Sequence, residues 1–289
     1  MITKEKNTWK ALTQSFTGDL HNVLHQQHHA SQFIALVGRH LVSQQPDDSN
    51  TNMQYLSDRE WLIGNELPGG FRMVLQLSGL KLCIVDRVMN RRSEIPLAVL
   101  KKQQVFEQMK QSLAELNLDV KLLINELHYT LPDHELDRNA AFSIGDMKSI
   151  QEITYYRHNA EIVIASMASH FEKAEPVRIW PHHFDTGTFI PLRDNANGGI
   201  SRSIGLGWAM PDDMVNEPYY YLSYWSEDPV EDFNALPNPD VGEWIKSGWH
   251  GGVARNSDIL KISSASGQEA FVETFFQSGI NLLREHYNL

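Results

Sequence analysis

The sequence predicts an α+β fold with two similar halves, as from an internal duplication, each an antiparallel sheet packed with long helices. Three observations carry this. Apolar residues recur at helical spacing over two long stretches, near 19–42 and 146–172. Alternating strands follow one another in runs, separated by turn residues rather than by helices, which favours α+β over a regularly alternating parallel fold. Each half reads long helix, strands, helix. The halves are placed at 1–135 and 146–289, with the charged connection Pro132 to Gly145 between them.

The first helix spans about Asp19 to Val42, with Asp19 as N-cap and Leu20, Val23, Leu24, Ile34, Val37 and Leu41 as its apolar positions. It carries His21, His25, His28 and His29. His25 and His29 are four residues apart, a separation at which two imidazoles can grip one metal. The His-Glu-x-x-His pattern of zinc proteases is absent, and histidines on a polar helix face are usually solvated. Ser43 to Asn52 reads as a loop. Phe71 to Ser78 and Lys81 to Val88 form a hairpin around Ser78-Gly79. Pro96 opens a helix with Val99, Phe106, Met109, Leu113 and Leu116 on one face, and Val120 to Ile124 is a short strand.

In the second half a helix runs from about Asp146 to Glu172. Val177 to Trp180 begins a half-buried strand; because proline cannot donate to a sheet ladder, pairing should break at Pro181 or the strand should lie on an edge. Arg193 to Gly199 is a turn. Ser201 to Trp208 is a strand with one face of serine and glycine, which leaves room for a ligand or for close packing. Pro218 leads an aromatic strand: Tyr219, Tyr221 and Trp225 share one face, Tyr220, Leu222 and Tyr224 the other. Asp228 to Asp240 is an irregular loop. Gly242 to Val253 has the composition of a lid over a site. The chain closes with a helix from Ser266, where Ser266 to Glu269 reads as a capping box.

Composition narrows the classes of function. A formal net charge of −11 argues against a general nucleic-acid binder and an electrostatic membrane partner. No apolar run approaches the roughly 18 residues that suggest a membrane span. Met1 to Lys10 shows no secretory pattern, and the single cysteine, Cys83, fits a reducing compartment, so a cytoplasmic location is expected. Cys83 lies in an apolar strand and reads as core filler. Gly205-Leu206-Gly207 lacks the third glycine of a dinucleotide fingerprint, and no cofactor is expected.

The densest site chemistry is the run Trp180-Pro181-His182-His183-Phe184-Asp185. A neutral histidine can serve as base, donor or ligand, and a carboxylate can fix its tautomer. This motif resembles the Trp-Gly-Ser-Phe-Asp-Leu-Ala type motif of a widespread family of bacterial proteins of unknown function, with Trp180, Phe184 and Asp185 on its Trp, Phe and Asp. Asn125-Glu126 with Pro132, Pro218-Tyr219-Tyr220-Tyr221 and Gly242-Glu243-Trp244 resemble further segments of that family. The resemblance implies a shared architecture and a pocket near Asp185, but no reaction, and it does not extend to His182 and His183.

Three functions compete. The first is a small-molecule pocket, catalytic or not, with His182 or His183 as general base, Asp185 as orienter, and Trp180, Trp208, Trp249 and His250 as ligand-binding walls. It assigns no metal ligand. The second is a divalent-metal-dependent enzyme using the histidines of the first helix, or His182, His183 and Asp185. The third is a non-catalytic interaction module whose aromatic strand makes a symmetric homo-oligomer interface.

Overall fold

A computed structural model of the chain describes residues 8–230 and 232–289. Most of the polar start, Met1 to Lys10, therefore lies outside the described residues. The fold is α+β with two antiparallel sheets. The chain forms two compact units, interleaved in sequence rather than continuous like the expected halves. One comprises Thr17–Thr154 and Ile179–Phe184, the other Met1–Phe16, Tyr155–Arg178 and Asp185–Leu289. Among the described residues no helix is long and apolar enough to cross a membrane.

The unit formed by Thr17–Thr154 and Ile179–Phe184 is built on helix α1 (Gly18–Leu41). Thr17 is the N-cap residue, and Asp19 falls inside the first turn, where its charge favours the helix dipole without capping it. The strands β1 (Gln54–Leu56), β2 (Trp61–Leu67), β3 (Phe71–Gln76), β4 (Lys81–Val85) and β5 (Arg91–Pro96) form a meander in sequence order. Helix α1 packs on β2 and β3. The expected hairpin is β3 and β4, paired from Arg72 with Val85 to Gln76 with Lys81. Cys83 is buried in this sheet, and burial pushes its thiol pKa up, so it is core filler.

Pro96 ends β5 instead of opening a helix. Helix α2 starts later, at Lys102, and ends at Glu115, with Val105, Phe106, Met109 and Leu113 buried. Val99 is exposed with a left-handed backbone, so it belongs to the connection and not to the helix stripe. Val120 to Ile124 forms no strand. Only Leu123 is buried there, while Leu122 and Ile124 are exposed, and one inward residue is too little to hold a strand in a sheet.

Helix α3 (Met147–Ala168) leads toward β6 (Arg178–Trp180). In the other unit, five strands of the second sheet run in the antiparallel order β10-β11-β9-β8-β7. They are β7 (Asp185–Asp194), β8 (Ile200–Ala209), β9 (Tyr219–Ser226), β10 (Glu243–Ile245) and β11 (Gly251–Arg255). Its core face carries Ile190, Ile204, Leu206, Trp208, Tyr220, Leu222 and Ala254. After the short helix α4 (Asn256–Ile259), helix α5 (Ala265–Tyr287) packs on β9 and β11. Its cap is Ser264, which accepts from the Gly267 amide at 3.2 Å, two residues before the expected capping box.

Two expectations for this sheet change. The segment Gly242 to Val253 is not a lid, because it contributes the hairpin β10–β11 and buries Trp244. The glycine face of β8 is not empty. A Cβ on Gly207 would stand 2.1 Å from Tyr221 Cζ, and one on Gly205 2.5 Å from Ser223 Oγ. The missing side chains admit the cross-strand neighbours themselves, so close packing, not a ligand, occupies that volume.

Candidate metal centre

From Gln26 to Gly38 helix α1 is buried on every side, although its sequence there includes Gln26, Gln27, His28, His29, Ser31 and Gln32. Buried polar groups need partners, and segments distant in sequence supply them. Gln26 Oε1 accepts from the Ser143 amide. His28 Nε2 and Gln32 Nε2 both lie 2.9 Å from the Pro181 carbonyl oxygen. The Tyr129 hydroxyl donates to Gln32 Oε1 at 2.7 Å. His28 and His29 are thus not on the solvated helix face that the pattern suggests, at 3% and 1% exposed, whereas His25 is half-buried and His21 is exposed.

His21, His25 and His29 follow one another at intervals of four, which aligns them along the helix. His134 joins them from the turn His134–Asp137, closed by the Asp137 amide on the His134 carbonyl at 2.9 Å and anchored by buried Leu136. The His134 ring stacks on His29 with centroids 4.6 Å apart and on His25 at 5.5 Å; His21 stands 4.1 Å from His25. One ring nitrogen from each of His25, His29 and His134 lies within 4.8 Å of the others. Zinc–nitrogen bonds of about 2.0–2.1 Å set tetrahedral ligands about 3.3–3.4 Å apart. A bound ion would therefore need the three nitrogens to draw closer than they stand here.

The electrostatics hold the rings neutral, the form that ligates metal. Burial, then His21 and His134, pushes the His25 pKa down to about 4. Burial, then the Lys102 charge and the neighbouring histidines, pushes His29 down to about 2. Burial also lowers His134, against the pull of Glu135 and Asp137. A cation is already adjacent. Lys102 Nζ sits 2.7 Å from His29 Nδ1 and 2.5 Å from Asp137 Oδ1. The ammonium donates, so His29 Nδ1 presents its lone pair. The Leu136 amide makes a long, 3.3 Å bond to His134 Nδ1. Ligation through Nδ1 would replace that bond, whereas ligation through Nε2 would need the ring proton on Nδ1 and so would break it.

The motif at 180–185 is placed differently. Pro181 does interrupt the strand, and residues 181–184 form a turn. Pro181 and Phe184 are buried, with Phe184 stacked 5.1 Å from His28, while His182 and His183 are exposed and their rings lie 4.5 Å apart. Trp180 is half-buried beside His182. In the other unit, half-buried Asp185 accepts from the Tyr221 hydroxyl at 2.6 Å. Trp208 is 1% exposed, stacked on Tyr156 and capped by Arg157 at 4.9 Å, so it is core. Trp249 is half-buried and covers Gly251, and His250 is exposed beside Phe233. On the aromatic strand Tyr219 is buried, Tyr221 half-buried and Trp225 50% exposed.

Sequence reasoning paired His25 with His29 but missed His134, Lys102 and Asp137. His134 stands in an irregular segment without periodicity, and no local signal ties it to a helix more than a hundred residues earlier. Comparison with protein-family models, with curated proteins and with solved structures finds no match.

Proposed function

We propose that the chain binds a divalent transition-metal ion, of the class that imidazole suits, through His25, His29 and His134. The observation that carries this reading is the convergence of three neutral imidazoles, one of them fully buried, from two segments distant in sequence. Neutral rings held together by packing spare an incoming ion both the cost of deprotonation and most of the cost of ordering its ligands. Equilibrium dialysis with Zn²⁺ or Co²⁺ tests it. One ion per chain is expected, with binding lost in His29→Gln. No uptake by the folded protein, with no gain in melting temperature on adding either ion, overturns it.

A ligand site at Asp185, within its own unit, is the second reading, favoured by the ordered Tyr221–Asp185 pair. There Asp185→Asn should weaken ligand binding more than folding. The common order of helix, sheet and helix supports descent of the halves from one duplicated element, with β10 and β11 exchanged in the second sheet. The buried lone thiol of Cys83 supports a cytoplasmic location.

A further inference from the structure

Lys102 is the first residue of α2, where the helix dipole disfavours a positive charge. It is nevertheless held there by two partners, His29 Nδ1 and Asp137 Oδ1. Those two atoms are what a metal ion at His29 would seek: an imidazole lone pair and a carboxylate oxygen. Asp137 closes the same short turn that presents His134, so a carboxylate is carried to the cluster with the third histidine. An ammonium and a metal ion cannot share one lone pair. An ion bound at the other nitrogen of the ring would still face the ammonium across the imidazole, in a half-buried environment where charges are weakly screened.

We propose that Lys102 is a built-in competitor for the metal, and that Asp137 is the ligand it releases. On metal entry the ammonium swings out to solvent, the ion takes its place, and Asp137 completes a site of three histidines and one carboxylate. Four protein ligands make a closed centre rather than one with a position open for a catalytic water. Lys102 thereby sets the affinity, so that the site responds to metal supply instead of holding its ion permanently. This inference rests on the metal-binding reading above.

The test compares Co²⁺ binding and its visible absorption in wild type, Lys102→Met, Asp137→Asn and the double variant, with Lys102→Gln as a second neutral substitution. Unchanged melting temperature without metal identifies the variants that keep the fold, and a helix N-terminus should tolerate loss of a cation. Removing the competitor should tighten Co²⁺ binding at least tenfold. In the Lys102→Met background Asp137→Asn should weaken it at least tenfold and alter the intensity of the Co²⁺ bands. Equal affinities for wild type and both Lys102 variants overturn the competitor role while leaving metal binding intact. Identical spectra and affinity with and without Asp137 in that background overturn the fourth-ligand role. No Co²⁺ binding by any folded variant instead overturns the metal-binding reading itself.

Discussion

On helix α1, His25 and His29 lie one helical turn apart and meet His134 within 4.8 Å; in the turn at 181–184, the adjacent His182 and His183 are exposed. The second pair is the denser in sequence, the first the better organised in space. A helix directs residues four apart to the same side. The turn brings the His182 and His183 rings to 4.5 Å but leaves both exposed, and it spends its buried positions on Pro181 and Phe184. Concentration of reactive residue types along the chain is therefore a weaker guide than a spacing that matches the local backbone.

Several measurements bear on that contrast. The largest effect belongs to the helix. Replacing both His25 and His29 by Gln should weaken Zn²⁺ binding by at least a hundredfold in dialysis, and replacing both His182 and His183 should leave it unchanged; the reverse outcome would invert the comparison. Next is the packed glycine face in the other unit. Gly207→Ala drives a methyl into the Tyr221 ring, and such overpacking costs about 1–3 kcal/mol, readable by urea unfolding.

Acid should act through the helix histidines. Their folded-state pKa values lie below the unfolded value near 6.5, so between that value and about 4 the unfolded chain binds more protons. Their contribution to stability is thus complete above about pH 6.5 and is lost as pH falls toward the folded values. Each histidine contributes at most about 1.4 kcal/mol per pH unit in that window, and half-exposed His25 less. Denaturation curves from pH 7 to 4.5 should show the loss, and His29→Gln should flatten it. A wild-type stability that is level over this range would contradict the buried, neutral cluster.

Smaller still, Tyr221→Phe removes the hydrogen bond to Asp185 and should cost about 1 kcal/mol in melting experiments. Smallest is His182→Ala with His183→Ala. Exposed side chains away from caps and cores usually change stability by less than about 0.5 kcal/mol, and a larger loss would show that the turn depends on its histidines.

The α+β class, the two long helices, the β3–β4 hairpin, the break at Pro181 and the aromatic strand β9 are legible in the sequence, because each follows from local periodicity or from proline and glycine chemistry. The spacing of His25 and His29 is legible for the same reason. Local pattern misplaced the start of α2, invented a strand at Val120 to Ile124 and read the β10–β11 hairpin as a lid, since short segments take their structure from what they pack against. Tertiary structure alone decided that the polar side of α1 is buried, that Tyr221 fills the glycine face of β8, and that His134, Lys102 and Asp137 gather at His29. These depend on contacts between residues far apart in the chain. Periodicity records which side of an element is apolar, but not which distant polar group satisfies a buried one.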